Sequence, residues 1–465
     1  MNWDKLHSVY FLGIGGIGMS AIARWFNHIG IPVSGYDRTP SPLTRKLEEE
    51  GMRITYEDNL ETIPDAIKSD AAHVLIVWTP AIPKDSVQLN FFVEGGFDLK
   101  KRSEVLGMIT STMYTVGVAG THGKTTTSSM VAHMLKSAGK NIAAFLGGLT
   151  QNYESNLILH DEENEEQPIV VVEADEFDRS FLRLHPNVAV VTSVDADHLD
   201  IYGDAQELTR NFEKYINLLP DDGLLFIQKN ALEKLDRNDF GSLTLRQYGL
   251  GEGAVRAENI KAGVASFDFD YISEEKVIKG LVLKVPGFHN VENALASISI
   301  ALHFGVSEEA IRKGLVTFKG VKRRFEIKRQ DAKGVFIDDY AHHPEEIKAF
   351  LGSVKAMYPD KKLTAVFQPH LYTRTRDFAD GFSEALSLAD EVVLLDIYPA
   401  REKPIAGVSA QMLMEKISAK EKSLHSKEGL LEFLDKQRPE VLVTLGAGDI
   451  DRLVEPINNL MEQWD

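Results

Sequence analysis

The stretch YTVGVAGTHGKTTTSSMV, residues 114–131, carries most of the information about the fold. It starts as an apolar strand and passes through a glycine turn into a helix whose apolar side chains recur every three or four residues. The apolar positions of that helix are Met130, Val131, Met134, Leu135 and Ala138. A strand, a glycine loop and a helix in this order are typical of βαβ units, which build parallel sheets. The stretch therefore predicts an α/β fold.

The loop within this stretch has the residue types that hold phosphate groups. Backbone amides at a helix N-terminus, a lysine ammonium and a threonine hydroxyl together bind phosphates and Mg²⁺. The usual pattern has a glycine five residues before Gly123, and position 118 is Val, so this loop is a variant. A turn that only packed the helix would gain little from a lysine and three threonines. We therefore predict ATP as the ligand, bound by Gly120, Thr121, His122, Gly123, Lys124, Thr125 and Thr126.

A metal site is expected beside this loop, because bound phosphates usually need Mg²⁺. The apolar run PIVVV leads directly into Glu173, whose carboxylate would lie at the carboxyl end of a buried strand. The next apolar run, VAVV at 188–191, leads to His198 in the acidic segment TSVDADHLD. Ligands of open parallel sheets bind beyond such strand ends. The sequence thus predicts a metal centre of Thr125, Glu173 and His198, with a structural role as the alternative for His198.

A second glycine loop lies near the N-terminus, between the strand-like VYFL and a helical segment. Gly13, Gly15 and Gly18 satisfy the G-x-G-x-x-G pattern, and Asp37 follows about 20 residues later, as in NAD-binding folds. The physical content of the pattern is only that backbone approaches a pyrophosphate at a helix N-terminus. NAD, another diphosphate such as that of a UDP-sugar, and a turn used only for packing all remain possible at this point.

The composition excludes several classes of protein. The chain has 465 residues, 51 of them basic and 69 acidic, and the net charge of −18 disfavours nucleic acid and anionic membranes as partners. The absence of cysteine excludes disulfides, thiolate metal sites and cysteine nucleophiles. Neither an apolar signal segment nor a run long enough to span a membrane is evident, so we expect a cytoplasmic, soluble protein that acts on small molecules.

The alternation of strand and helix patterns restarts twice, which indicates three domains. The rhythm breaks near residue 107 and again near 320–325, after which GVFIDD, LTAVFQ, EVVLLD and VLVTLG are predicted strands. We expect domains at 1–107, 108–321 and 322–465. The acidic segment HDEENEEQ (160–167) is interpreted as a solvated loop without a function, because its carboxylates repel one another.

Nearly the whole chain resembles the Mur ligases of peptidoglycan synthesis. The motifs that carry the resemblance occur in the order of that family: GIGGIGMSAIA (13–23), GTHGKTTT (120–127), EADE (173–176), DADHLD (195–200), GFHNVENALA (287–296), RRFE (323–326), DDYAHHP (338–344), QPHLYTRT (368–375) and GAGDI (446–450). The resemblance implies a Rossmann-like N-terminal domain, a central P-loop ATPase domain with a mainly parallel sheet, and a Rossmann-like C-terminal domain.

The resemblance also implies substrates and further site residues. The substrates are ATP with Mg²⁺, UDP-N-acetylmuramate and L-alanine, which a ligase of this type joins through an acyl phosphate. The implied adenine and phosphate contacts are His289, Asn293 and Arg324. The implied sugar-nucleotide contacts are Gly13, Gly15, Gly16, Gly18, Asp37 and Thr79, and the implied amino-acid contacts are Asp339, Tyr340, His342, His370 and Arg374. The implied catalytic set is Lys124, Glu173, His198, His342 and Arg374, with His342 as a candidate base.

Departures from the family pattern leave alternatives open. Serine usually follows EADE in the family, but this chain has Phe177, similar to the aromatic residue of the related ligase that recycles cell-wall tripeptide. Leu371 stands where arginine is usual. A tripeptide-recycling ligase is therefore the main alternative. A nicotinamide-dependent oxidoreductase and a nucleotide switch are the others. The first leaves the loop with Lys124 and Thr125 unexplained, and the second leaves DDYAHHP and QPHLYTRT without a purpose. We expect a monomer or a weak homodimer.

Overall fold

The computed structural model describes residues 3–195, 202–237, 239–400 and 402–464. The chain forms two compact units, one of residues 1–255 and 295–314 and the other of residues 256–294 and 315–465. Their strands form three sheets with helices between parallel strands, which confirms the predicted α/β class. The boundaries proposed at 107 and 321 remain predictions; residue 107 lies inside a helix, Arg102–Thr110.

The strands, in chain order, are β1 Ser8–Leu12, β2 Val33–Tyr36, β3 Arg53–Thr55, β4 Val74–Trp78, β5 Asp98–Lys101, β6 Thr115–Ala119, β7 Ile142–Thr150, β8 Ser155–Ile158, β9 Ile169–Glu173, β10 Val188–Val191, β11 Leu224–Gln228, β12 Thr244–Leu250, β13 Val255–Gly263, β14 Ser266–Ser273, β15 Val277–Leu283, β16 Glu326–Asp331, β17 Gly334–Asp339, β18 Leu363–Phe367, β19 Glu391–Leu394, β20 Glu421–Leu424 and β21 Val441–Leu445.

The helices are α1 Ile17–His28, α2 Pro42–Glu49, α3 Asp65–Lys68, α4 Val87–Glu94, α5 Arg102–Thr110, α6 Lys124–Ser137, α7 Ala205–Ile216, α8 Lys229–Glu233, α9 Phe288–His303, α10 Glu308–Thr317, α11 Pro344–Met357, α12 Tyr372–Asp377, α13 Ala379–Leu386, α14 Ala410–Lys416, α15 Lys427–Gln437 and α16 Asp451–Glu462. Short 3-10 turns occur at Trp3–Lys5, Leu60–Thr62 and Phe177–Arg183. In the described parts of the chain, none of the helices combines the length and apolar content needed to cross a bilayer.

The first sheet has the strand order β3-β2-β1-β4-β5, with its strands parallel. The predicted strand VYFL is the buried part of β1. The predicted helix is α1, whose apolar face is buried and which ends before Gly30, a residue with φ of +78°. Only glycine adopts that backbone conformation without strain, so the chain turns there into β2. Gly13 and Gly15 follow the carboxyl end of β1.

The second sheet, within the first unit, has the order β12-β11-β10-β6-β9-β7-β8. Buried, valine-rich sequences form β6, β9 and β10, as expected for strands covered on both faces. Strand β6 lies between β9 and β10, and Val118 pairs with Glu173. The loop after β6 and the carboxylate at the end of β9 are therefore neighbours. This adjacency is what the metal prediction required.

In the second unit, β14 and β15 form an antiparallel pair before α9. The third sheet has the order β16-β17-β21-β18-β19-β20, parallel except for β16. The predicted strands GVFIDD, LTAVFQ, EVVLLD and VLVTLG correspond to β17, β18, β19 and β21. Asp339 and Phe367 both pair with Leu445 at the carboxyl ends of their strands. The segments DDYAHHP and QPHLYTRT therefore begin at the same edge of this sheet.

Candidate active site

The loop between β6 and α6 has the backbone geometry of an anion-binding turn. Gly120 has φ of +140° and Gly123 has φ of +80°. A Cβ atom on Gly120 would lie 2.0 Å from Thr192 Oγ1 and 2.9 Å from the Ser193 amide nitrogen. Ser193 also supports the loop, because its hydroxyl accepts a hydrogen bond from the His122 amide at 2.7 Å. Glycine is thus required at both positions, and α6 begins directly behind the turn.

The other predicted loop residues lie where that geometry puts them. Thr121 and Thr126 are buried, and Thr121 Oγ1 lies 2.9 Å from Ser193 Oγ. His122 Nε2 lies 3.6 Å from Asp195 Oδ2. Sequence reasoning missed Ser193, because the segment TSVD was noted only for its acids. The structure brings the segment directly after β10 into contact with the phosphate loop.

Lys124 is held by a buried carboxylate that the sequence analysis did not assign. Its Nζ lies 2.9 and 2.7 Å from the two carboxylate oxygens of Glu176 and donates a hydrogen bond to Gly120 O at 2.6 Å. Glu176 is fully buried. Burial opposes the lysine charge, but the carboxylates of Glu176 and Asp175 outweigh it and raise the Lys124 pKa. The ammonium is therefore charged and preorganised beneath the loop.

Thr125 and Glu173, two of the three predicted metal ligands, are in contact. Thr125 Oγ1 donates a hydrogen bond to Glu173 Oε1 at 3.0 Å, and the Gly147 amide donates to Glu173 Oε2 at 2.9 Å. A Cβ atom on Gly147 would lie 2.4 Å from that carboxylate, so any side chain there would displace the Glu173 carboxylate. A hydroxyl beside a carboxylate is an oxygen ligand set that suits Mg²⁺. His198, the third predicted ligand, lies outside the described residues.

The N-terminal glycine loop is closed by Asp37. Its Oδ2 accepts a hydrogen bond from the Gly15 amide at 2.7 Å. A Cβ atom on Gly15 would lie 2.8 Å from this carboxylate, and one on Gly13 would lie 3.0 Å from Thr79. The structure therefore brings together these four predicted residues, with Gly16 at the start of α1. Asp37 acts here as a brace of the loop backbone.

Arg102 lies beside Gly18 at the N-terminal glycine loop. A Cβ atom on Gly18 would lie 2.5 Å from Nη1 of Arg102. Arg102 Nη2 also lies 4.0 Å from Asp175 Oδ2, within the EADE motif. Sequence reasoning missed Arg102, because this residue lies outside the motifs that the sequence offers. Its guanidinium lies between the glycine loop and the segment that carries Glu173 and Glu176.

In the second unit, His289 and Asn293 lie at the start of α9; Asn293 is buried and His289 is partly exposed. Asn293 Nδ2 donates a hydrogen bond to Asn290 Oδ1 at 3.1 Å. Burial lowers the His289 pKa to about 4, so the imidazole is neutral at pH 7. Its Nδ1 has neither solvent contact nor a hydrogen-bond partner within the described ranges. A buried, neutral nitrogen of this kind is suited to an uncharged ligand with hydrogen-bonding groups.

Arg324 stacks on the ring of Tyr340 in the same unit. Its guanidinium carbon lies 4.9 Å from the centre of the Tyr340 ring, and its Nη1 lies 3.8 Å from Glu346 Oε1. Glu346 also accepts a hydrogen bond from the His342 amide at 3.0 Å and lies 3.3 Å from His342 Nδ1. Glu346 was not predicted; it is the third residue of α11, where it forms part of a capping box. It therefore orients two predicted site residues at once.

The aromatic and imidazole rings predicted for amino-acid binding form one group. The His342 ring lies 5.2 Å from Tyr340 and 6.3 Å from His370. Burial, together with the charge of Arg374, lowers the His370 pKa to about 4. His370 stacks on Tyr398, a residue that the sequence did not indicate, at 5.7 Å. Arg374 lies in α12, directly after this ring group.

Asp339 is the last residue of β17 and contacts the backbone on both sides of it. Its two oxygens accept hydrogen bonds from the backbone amides of Phe325 at 2.6 Å and Ala341 at 2.7 Å. Phe325 has φ of +48°, which is strained for a bulky residue, so the carboxylate holds an unfavourable backbone in place. The role proposed for it in amino-acid binding is untested. Its contacts indicate a brace for the segment that carries Arg324.

Asp339 also makes local stability depend on pH. Burial raises its pKa to about 7, while Arg324 and the two amides oppose the shift. The pKa of an aspartate in the unfolded chain is about 4, so the folded chain binds the proton more tightly. The free energy of unfolding therefore falls as pH rises from about 4 to about 7. We expect faster opening of segment 323–341, measured by hydrogen exchange and corrected for the intrinsic rate, on going from pH 5 to 8. Asp339→Asn should remove this slope, and an unchanged slope would contradict the assignment.

Comparisons with known proteins agree across the whole chain. The family model described as Mur ligase family, catalytic domain, matches residues 8–114, the Mur ligase middle domain matches 118–301, and the Mur ligase, glutamate ligase domain, matches 323–448. The UDP-N-acetylmuramate–L-alanine ligase of Phocaeicola vulgatus is 48% identical over 465 residues and covers 100% of both chains. That of Christiangramia forsetii is 47% identical and covers 98% of both.

Solved structures give the same result. The UDP-N-acetylmuramate-alanine ligase MurC from Thermotoga maritima is 29% identical, covers 98% of this chain and 99% of its own, and has a TM-score of 0.78. The murein peptide ligase from Psychrobacter arcticus, at 21% identity, covers 99% of both chains with a TM-score of 0.66 and shares the fold. Because these similarities extend over the full length and the phosphate loop has the required geometry, the chain belongs to the Mur ligase family.

Proposed function

We propose that this protein joins L-alanine to the lactyl carboxylate of UDP-N-acetylmuramate and converts ATP to ADP and phosphate. The observation that carries the proposal is full-length similarity to ligases of that name, at 48% identity, together with the Lys124 and Glu173 centre that an ATP-dependent ligase needs. The proposal accounts for both glycine loops. A dehydrogenase would leave the loop at 120–123 without a role.

The carboxylate must first be activated, because attack by an amine would otherwise have to expel an oxide. In the proposed first step, a carboxylate oxygen attacks the γ-phosphorus, the bond to the bridging oxygen of ADP breaks, and an acyl phosphate forms. Lys124 and the amides of the loop stabilise the negative charge that develops on the phosphoryl oxygens. Glu176 keeps the ammonium charged and in position for this role.

Thr125 and Glu173 would hold the Mg²⁺ ion, with His198 as a third proposed ligand. When bound, the ion neutralises charge on the phosphate oxygens. His289, Asn293 and Arg324 are proposed for the nucleotide, the two polar side chains for adenine and the guanidinium for phosphate. The neutral imidazole of His289 supports the adenine assignment, because its buried Nδ1 needs a hydrogen-bonding partner.

The acyl phosphate is then captured by the amine of L-alanine. The amine forms a tetrahedral intermediate, phosphate leaves, and an amide bond remains. Arg374 is proposed for the alanine carboxylate, with Tyr340 and His370 lining the site. His342 is the candidate base for the ammonium proton, because Glu346 holds its ring in a fixed position.

The tripeptide-recycling alternative rests on Phe177. This residue lies on the surface beside the EADE motif, with 39% of its area exposed, where a larger peptide acceptor would find an apolar contact. The proposed reaction is preferred because the relatives that are 47% and 48% identical in sequence are named for L-alanine. Phosphate release with L-alanine, glycine, L-serine and the tripeptide separates the two directly. Faster turnover with the tripeptide than with L-alanine would reverse the preference.

The acyl phosphate has its own test. UDP-N-acetylmuramate labelled with ¹⁸O in its carboxylate should transfer one labelled oxygen to the released phosphate, as measured by mass spectrometry. The labelled oxygen moves because the bond to phosphorus forms in the first step and the carbon–oxygen bond breaks in the second. Unlabelled phosphate, in a reaction that still forms the amide, would eliminate this route.

Asp37→Ala should weaken binding of the sugar nucleotide selectively. The substitution removes the acceptor of the Gly15 amide and loosens the glycine loop. A hydrogen bond to a charged group contributes about 1.5–3 kcal/mol, so we expect KM for UDP-N-acetylmuramate to rise by roughly tenfold or more. KM for ATP should not change. Asp65→Ala, at an exposed residue of the same sheet domain, is the matched control, and an equal rise in both KM values would contradict the assignment.

A further inference from the structure

A second cluster of metal-binding residue types lies away from the phosphate loop, where α1 ends beside the loop after β8. His28 is the last residue of α1, and His160 and Glu162 belong to the acidic segment 160–167. One nitrogen of each imidazole and one Glu162 carboxylate oxygen lie within 4.8 Å of one another. The two rings meet edge to face at 5.0 Å. The acidic segment, which the sequence analysis left without a function, thus supplies two converging ligands.

The cluster is held from both sides before any ion binds. His28 Nε2 lies 3.0 Å from the backbone oxygen of His160 and 3.9 Å from Glu162 Oε1. Further along the same helix, Arg24 donates a hydrogen bond to Asn156 Oδ1 at 3.3 Å, and Asn156 donates one to Ile17 O at 2.5 Å. Helix α1 is therefore fixed along its length against β8. The three ligand groups need only small movements to reach a common centre.

His160 is the residue that distinguishes this cluster from an ordinary surface ion pair. Its Nδ1 is shielded from solvent and has no hydrogen-bond partner among the residues that the structure describes. A buried polar atom without a partner is unfavourable, so a bound ligand would relieve a defect of the free protein.

We propose that His28, His160 and Glu162 bind one first-row transition-metal ion of the Zn²⁺ class. Two imidazoles and a carboxylate suit Zn²⁺, Co²⁺ or Ni²⁺, whereas Mg²⁺ prefers oxygen ligands throughout. The side chain of Glu162 is 52% exposed, so an ion reaches the site from solvent. The other carboxylates of the segment 160–167 attract the cation. The bound ion would fasten the end of α1, the helix behind the N-terminal glycine loop, to the loop after β8.

Another cluster in the same unit serves as the internal control. His7, Asp70 and His73 also present converging ligand atoms. There, however, both Nδ1 atoms lie 2.7 Å from Asp70 oxygens, so the contacts between these side chains are already made without an ion. The two clusters have the same number of imidazoles and carboxylates. They differ in whether a buried nitrogen lacks a partner.

The test uses the full-length chain, stripped of metal, without nucleotide and in excess Mg²⁺ to fill the phosphate site. Titration with Co²⁺ should give one visible absorption band that saturates at one equivalent and is displaced by Zn²⁺. Glu162→Gln should weaken Co²⁺ binding by roughly tenfold or more. Loss of a residue that only hydrogen-bonds to a metal ligand already lowers metal affinity by about tenfold, and Glu162 is proposed as a ligand itself. His160→Gln should abolish the band, and His73→Gln should leave it unchanged.

The exposed Glu162→Gln variant keeps the test valid even where His160→Gln fails to fold. Zn²⁺ should also raise the melting temperature of the wild type and of His73→Gln, but not that of Glu162→Gln, because binding stabilises only a folded chain with an intact site. No Co²⁺ band in the wild type would overturn the proposal. So would a band that is lost in His73→Gln and retained in Glu162→Gln. Every readout is independent of ligase activity, so the outcome does not depend on the proposed function.

Discussion

Replacing Lys124 by alanine is expected to lower kcat by a factor on the order of 10³, while the affinity for UDP-N-acetylmuramate stays nearly the same. The ammonium is proposed to stabilise charge that develops only in the transition state, and losing one such preorganised donor typically costs 10²–10³ in rate, about 3–4 kcal/mol. Phosphate release gives kcat, and calorimetric titration gives the sugar-nucleotide affinity. An equal loss of both would mean that the two sites are misassigned.

The partner of Lys124 adds a second, separable effect. Lys124→Ala leaves the Glu176 carboxylate buried without its cation, and breaking a buried ion pair costs about 3–5 kcal/mol of stability. The double variant Lys124→Ala/Glu176→Gln should regain much of that stability and none of the activity. Lys136→Ala, at an exposed lysine in the last turn of the same helix, is the control and should change neither. A double variant no more stable than Lys124→Ala would contradict the role given to Glu176.

Replacing Glu173 by glutamine should produce an enzyme that needs far more Mg²⁺. Glutamine keeps the size of the side chain and an acceptor for the Gly147 amide, but it removes the charge beside Thr125. We expect kcat at saturating Mg²⁺ to fall on the order of 10²-fold, since a charged ligand of the ion is lost. The Mg²⁺ concentration for half-maximal phosphate release should rise as well.

The control for Glu173 is Glu166→Gln, at an exposed carboxylate of the acidic segment, which should have normal Mg²⁺ dependence. Calorimetric titration of the sugar nucleotide should give the same affinity for Glu173→Gln as for the wild type. An unchanged Mg²⁺ requirement together with a normal kcat would remove Glu173 from the metal site. Lower sugar-nucleotide affinity alone would instead place the carboxylate at the N-terminal glycine loop.

Much of the fold could be predicted because its signals are local. The apolar runs at β1, β6, β9 and β17 and the helical spacing in α1 and α6 are set within a few residues, and the structure confirms them. The antiparallel β16 at the edge of the third sheet was missed. Its sequence EIKRQD is mostly polar and only partly buried, so it lacks the apolar run that marks the other strands.

The sequence by itself determined the order of strands and helices, the two glycine loops and the chemical type of the main site, because glycine spacing and apolar periodicity act over short distances. Tertiary structure decided the partners: Glu176 for Lys124, Gly147 for Glu173, and Glu346 for Arg324 and His342. Those contacts depend on which strands become neighbours in a sheet, as when Val118 pairs with Glu173. Strand order is a property of the packed chain, and residues far apart in sequence meet only once that packing is complete.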